Sequence, residues 1–194
     1  MLALAYSPVV AEAQRIGSPA LNFQNTSRAG LGLVINAPQQ FLGASGLFVT
    51  SRVPGGLGIY LDYKSSHNPP NRSDDYDPSI SIDQAENVFG DTPFRNERGW
   101  TTINVAAVRP LTAELMLYAG AGLARASGFR QYHDPAGDRG GAGLYWVDDP
   151  EGTDDHVNLL GGAFIRGGRN LIFQIGGETA PAGVTVGGVF AVPF

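Results

Sequence analysis

Residues 56–66 read Gly56-Leu57-Gly58-Ile59-Tyr60-Leu61-Asp62-Tyr63-Lys64-Ser65-Ser66. Leu57, Ile59, Leu61 and Tyr63 fall on one side of an extended chain, and Gly58, Tyr60, Asp62, Lys64 and Ser66 on the other. A period of two is the signature of a strand whose two faces meet different surroundings. The same alternation recurs on both sides of this stretch. Leu31, Leu33 and Ile35 oppose Gly30, Gly32, Val34 and Asn36, and Ile103, Val105 and Ala107 oppose Thr102, Asn104 and Ala106. Leu115, Leu117 and Leu123 oppose Tyr118, Gly120 and Gly122, and Leu171, Phe173 and Ile175 oppose Gln174 and Glu178. Val184, Val186, Phe190, Val192 and Phe194 oppose Thr185, Gly187 and Ala191. Two further segments carry bulk on both sides: Leu47 and Val49 against Phe48, and the adjacent Leu159 and Leu160. The pattern predicts eight strands, over 28–37, 41–53, 56–66, 98–110, 114–128, 155–167, 170–179 and 182–194.

The connections have a parity. Those after the second, fourth and sixth strands are tight: Pro54-Gly55, Leu111–Ala113 and Gly168-Arg169. The two very long ones, 67–97 and 129–154, follow the third and fifth strands. In an up-and-down antiparallel sheet closed on itself, they fall on one rim and the tight turns on the other, as in transmembrane barrels.

The chemistry of the faces decides which side meets what. One face carries Leu, Ile, Val and Phe. The other carries glycine, small residues and a few polar groups, namely Asp62, Lys64, Asn104, Gln174 and Glu178. That second face is too poor in charge to coat a water-soluble body and too polar for a dry core. Turning the apolar face outward to lipid and the small, polar face inward resolves both problems. Closure then becomes necessary, since an open edge in lipid leaves backbone groups unpaired. The predicted fold is all-β, a closed eight-stranded antiparallel up-and-down transmembrane β-barrel over 28–194. Eight strands leave an interior that side chains just fill, so a plugged lumen is expected rather than an open pore. Charges inside need partners; Arg52, Arg166 and Glu178 are the candidates for Asp62 and Lys64.

Composition agrees. The chain has 194 residues with 27 glycines and 16% charged residues, against roughly 25% in soluble domains. Cysteine is absent, which excludes disulfides, thiol chemistry and thiolate-bound zinc. The net charge of −5 argues against nucleic acid as a partner. Segments 67–99 and 129–155 hold fourteen of the eighteen acidic side chains and only five of the thirteen basic ones. One rim is therefore strongly acidic. At the start, Ala11-Glu12-Ala13 behind a short apolar run has the form of a signal-peptidase site. Residues 1–13 are expected to be the remnant of a secretory signal and 14–27 a lead-in.

Phe194, Val192 and Phe190, with Val186 and Val184 behind them, place an aromatic and apolar residues at alternate positions at the end of the chain. This resembles the C-terminal signal that the barrel assembly machinery reads in bacterial outer-membrane proteins; Pro193 departs from the usual pattern. Arg109-Pro110-Leu111-Thr112, followed by Leu117-Tyr118-Ala119-Gly120-Ala121-Gly122, is similar to a periplasmic turn and its glycine-rich strand in the same proteins. Over 28–194 the chain resembles the small outer-membrane β-barrel family of the OmpA/OmpX-like kind. The resemblance implies the bacterial outer membrane as location, outer-membrane lipid and lipopolysaccharide as surroundings, and a monomer. It implies no particular activity. Tyr63, Trp100, Phe129, Tyr132, Tyr145 and Trp146 are candidates for an interfacial aromatic girdle.

The expected role is structural, adhesive or surface-binding, with no catalysis. The alternatives are a small channel or transporter, a lipid-modifying enzyme, and a soluble ligand-binding barrel. His67, His133 and His156 lie in or beside the long connections. Ser65, Ser66 and His67 with the nearby acids suggest a triad, but the His-x-Ser pattern of outer-membrane lipid deacylases is absent, because Asn158 stands where serine would. No cofactor is expected. The one metal motif is Asp75-x-Asp77-x-Ser79-x-Ser81-x-Asp83-x-x-Glu86, whose oxygens suit Ca²⁺ or Mg²⁺, although Ile80 replaces the glycine of the loop and Pro78 intrudes.

Overall fold

The computed structural model describes residues 23–37, 41–66, 75–137 and 143–194. The expected signal remnant, most of the lead-in and His67 lie outside them. The strands are β1 (Arg28–Ala37), β2 (Phe41–Thr50), β3 (Leu57–Ser65), the two-residue β4 (Asp75–Tyr76), β5 (Thr92–Pro110), β6 (Leu115–His133), β7 (Leu144–Arg166), β8 (Leu171–Thr179) and β9 (Ala182–Pro193). One π-helical turn, Gln84–Val88, precedes β5. Eight strands pair antiparallel in the order β1-β2-β3-β5-β6-β7-β8-β9, and β9 returns to β1 to close the barrel. β4 adds to the edge of β7 in parallel.

The faces follow the alternation read from the sequence. Leu31, Leu33, Ile59, Leu61, Ile103, Leu123, Phe173 and Phe190 point outward and are exposed, while Asn36, Tyr60, Asp62, Lys64, Asn104 and Gln174 are buried inside. The two ambiguous segments resolve: Leu47 and Val49 face the lumen and Phe48 the outside, and Leu160 faces in while Leu159 faces out. A barrel of eight strands is tightly curved, and its concave side crowds. Glycine relieves this where backbones approach closely. A Cβ on Gly122 would lie 2.1 Å from the Ile103 carbonyl oxygen, and one on Gly43 2.0 Å from that of Tyr63. By contrast a Cβ on Gly46, which points outward, would meet nothing within 4 Å.

The long connections are more structured than the sequence reading allows. Residues 92–97 and 129–133 are strand, as are 144–154, so β5, β6 and β7 rise past the other barrel strands as a protruding sheet. A bulge explains why the sequence reads as loop there. Ala126 pairs with Asp154 and Gly128 with Asp149, so residues 150–153 of β7 stand opposite Ser127 alone. The Asp149 side chain accepts from the Gly152 N–H (3.1 Å), and the Thr153 hydroxyl accepts from the Gly128 N–H (3.1 Å). Pro150, Glu151 and Gly152 thus mark a local excursion, after which pairing resumes.

Candidate functional site

The lumen is layered. At the rim of tight turns, Phe23, Val49, Val108, Met116, Phe164, Ile172 and Ala191 belong to one buried apolar cluster. Phe23 comes from the lead-in, where its N–H donates to the Ala113 carbonyl (3.4 Å) and the Gln24 side chain to that of Leu111 (2.8 Å). Above sits an aromatic layer in which Tyr60, Tyr118 and Phe164 make mutual ring contacts at centroid separations of 5.3, 5.2 and 4.9 Å. Gln174 bridges the two phenols, accepting from Tyr60 (2.9 Å) and donating to Tyr118 (3.0 Å).

The next layer is a closed ring of polar side chains. Lys64 Nζ donates to Asp62 Oδ1 (2.6 Å) and pairs with Glu178 Oε2 (3.1 Å). Asn104 donates to Asp62 Oδ1 (2.8 Å), and Asn158 donates both to Asn104 Oδ1 (2.9 Å) and to Glu178 Oε2 (2.8 Å). Asn36 donates to Glu178 Oε1. The ring joins β1, β3, β5, β7 and β8. All five residues predicted for the interior network are therefore brought inside. Of the candidate partners, Glu178 joins the ring, whereas Arg52 lies in a tight turn and Arg166 pairs with Glu114 there (3.3 Å). Asn158 escapes the sequence reading because Leu159 and Leu160 hide the parity of its strand. Its side-chain oxygen accepts from the Thr179 and Ala180 N–H groups (3.1 and 2.8 Å), which fixes the β8–β9 hairpin to the ring.

Above the mouth stands the cap. Ala85, Ile80 and Ile82 of the strap 77–91 pack on Tyr132, Tyr145 and Val147 of the protruding sheet. Phenol-to-carboxylate bonds hold the pieces together: Tyr132 donates to Glu86 (2.7 Å), Tyr145 to Asp91, and Tyr76 to Asp148 (2.8 Å). Arg130 bridges Glu86 (3.0 Å) and Asp149 (3.5 Å). Phe129, Tyr132, Tyr145 and Trp146 are consequently buried in the cap, correcting the girdle reading; of the six aromatics only Tyr63 is strongly exposed on the outer face. Trp100 lies against His156 instead, the two rings tilted with centroids 5.6 Å apart.

The metal motif is not assembled. Asp75 lies in β4, Asp77 accepts from the Ser79 N–H (2.9 Å), Ser81 and Gln84 bond each other, and Glu86 is taken by Tyr132 and Arg130. Asp83 stands at the start of the π-helical turn. Among the described residues no three histidines or carboxylates converge as a metal site. Ser65 bonds Thr101 (3.2 Å) and Ser66 is engaged with the Trp100 backbone (2.6 Å). His133 ends β6 opposite Leu144 and Thr92.

The latch has a pH dependence. The Tyr132 hydrogen bond, with that of Arg130 and against the cost of desolvation, holds the Glu86 carboxyl below its ordinary value of 4.5. Burial, then the Glu86 contact, pushes Tyr132 up to about 12, so the phenol stays a donor. A carboxyl lowered in the folded state stabilises it fully above the ordinary value and loses that contribution as pH falls through the lowered one. A nitroxide on Val88→Cys, in a chain with no other cysteine, should therefore be as immobile at pH 5 as at pH 7 and should loosen at lower pH. Glu86→Ala should loosen it already at pH 7. A spectrum unchanged down to pH 2.5 would sink the latch.

No family model matches the chain, and no curated protein matches it. Among solved structures it is similar to the attachment invasion locus protein Ail of Yersinia pestis. In its complex with the heparin analogue sucrose octasulfate, Ail gives 8% identity over 87% of this chain and 97% of that one, with a TM-score of 0.44. Without that compound Ail gives 6% identity over the same shares, again with a TM-score of 0.44. A major outer membrane protein of Thermus thermophilus is similar at 11% identity over 86% of this chain and 99% of that one, with a TM-score of 0.40.

Proposed function

We propose that the chain is an integral barrel of the bacterial outer membrane that acts as a non-conducting, non-catalytic pedestal for an acidic binding surface. The observation that carries this is the inversion of the barrel, with large apolar side chains exposed around the outside and a closed hydrogen-bonded ring inside. A contiguous apolar exterior of this extent is unstable in water and suited to lipid. The tight turns then face the periplasm and the cap faces out. The acidic cap fits cationic partners or lipopolysaccharide bridged by Mg²⁺ or Ca²⁺. Phe190, Val192 and Phe194 would be read by the barrel assembly machinery, and the folded protein would be a monomer.

The refolded protein should resist SDS until boiled and change its migration on boiling. In planar bilayers it should give no conductance steps. Discrete steps would overturn the plug and favour the channel alternative, and solubility without detergent would overturn the membrane reading. Cells displaying the chain should bind more polylysine than cells without it, and deletion of 77–91, which removes Asp77, Asp83, Glu86 and Asp91, should lower that excess while keeping the heat-dependent shift. Equal binding by both chains would remove the cap from the function.

A further inference from the structure

The rim of tight turns is basic where the cap is acidic. Arg28, Arg52, Arg109, Arg166 and Arg169 stand there with Glu114 as the only acidic side chain among the described residues. Glu114 is matched by Arg166. Arg52, Arg109 and Arg169 are exposed and make no ion pair among the described residues. Arg109 is on the outward face of β5, opposite Leu117, and its guanidinium lies against the β2–β3 turn, where a Cβ on Gly55 would come within 3.0 Å of it. Directly beside it, the apolar belt has a groove of about 490 Å³ lined by Leu57, Ala107, Leu117 and Ala119, with Arg109 at its rim end.

We infer that this groove and its arginine bind an anionic phospholipid of the inner leaflet. An acyl chain would lie along Leu57, Ala107, Leu117 and Ala119, and the headgroup phosphate would meet Arg109, with Arg52 and Arg169 adding to the field of the rim. The inference rests on the membrane reading above. Two features select this occupant. The groove opens from the lipid-facing belt, so a chain of the bilayer reaches it without leaving hydrocarbon. Its only charge is a guanidinium, whose planar donor fork matches phosphate oxygens. A zwitterionic headgroup satisfies the same phosphate contact but brings a cation to a rim that already carries unpaired cations.

The test uses the whole refolded chain in neutral detergent with equal amounts of phosphatidylglycerol and phosphatidylcholine, and native mass spectrometry to count the lipids retained. A basic side chain near an anionic headgroup is worth a factor of about five. The wild type should therefore retain phosphatidylglycerol at least about fivefold over phosphatidylcholine, and Arg109→Gln should bring the two near parity. Ala119→Leu fills the groove and leaves the arginines, and should lower retention of both lipids. Arg125→Gln, at the opposite rim, should leave the pattern unchanged. Equal retention of both lipids by the wild type, or an unaltered preference in Arg109→Gln, would overturn the site while leaving the barrel intact. A chain that shows no heat-dependent gel shift would overturn the membrane reading and this site with it.

Discussion

Lys64→Met is expected to lower stability by about 3–5 kcal/mol, the usual cost of stranding a buried charge by removing its partner. Lys64 is fully buried, and it is the one cation in the ring that faces Asp62 and Glu178. Without it two buried carboxylates would face each other with only amide donors. Asn104 and Asn158 satisfy one oxygen of each carboxylate but bring no charge, and Asp62 Oδ2 already has no hydrogen-bond partner. The measurement is the urea midpoint of the SDS-resistant band. The triple variant Asp62→Asn, Lys64→Met, Glu178→Gln keeps the shapes and removes every charge, and should regain most of the loss, because replacing a whole buried ion group is often close to neutral. A Lys64→Met loss under about 1 kcal/mol, or a triple variant worse than the single, would show that the ring is not held by charge.

Gly122→Val should prevent barrel closure or destabilise it by more than about 3 kcal/mol, beyond the usual 1–3 kcal/mol of overpacking. The reason is what the new atoms would meet. A Cβ at Gly122 falls 2.1 Å from the Ile103 carbonyl oxygen, 2.2 Å from Asn104 Oδ1 and 2.7 Å from the Asn104 Cα. Two of these are backbone atoms of the adjacent strand, which cannot turn aside as a flexible side chain can. The third is the acceptor that Asn158 uses, so the clash would also break the ring. Gly46→Ala, with nothing within 4 Å, should change stability by less than about 0.5 kcal/mol. The proportion of SDS-resistant protein after refolding decides the matter. A Gly122→Val barrel that forms as well as Gly46→Ala would mean that the strands can separate enough to admit a side chain.

What the sequence made legible follows from periodicity. Where one face is exposed and apolar and the other lines the lumen, as at Leu57–Ser65, alternation is strict and both the strand and its facing are readable. Legibility fails where both faces of a strand are covered. Leu144-Tyr145-Trp146-Val147 alternates poorly because Tyr145 and Val147 pack against the strap while Trp146 is buried on the other side under Arg95 (5.1 Å). The Pro150–Gly152 bulge then reads as a loop, although pairing continues on both sides of it. In the lumen, residue type identified the charges, but their partners were set by registers that bring β3 and β8 together across the barrel. Arg52 and Arg166 have the right charge for Asp62 and sit at the wrong height.

The join between β1 and β9 has a consequence for the order of events in time. Apart from the small β4, every other pairing in the barrel links strands that are neighbours along the chain, most as hairpins and β3 with β5 across the long connection from Ser65 to Thr101. Arg28–Ala37 against Val184–Pro193 is the exception, joining residues roughly 150 apart. Formed first, that contact would cost about 4–5 kcal/mol in loop-closure entropy alone. Formed last, between the two edges of a sheet already assembled, it costs far less. The barrel should therefore curl from consecutive hairpins and shut like a clasp. Until it does, Gly30 and Gly32 on one edge and Phe190 and Val192 on the other belong to a sheet with two open sides, the state in which a nascent barrel most needs a chaperoned edge.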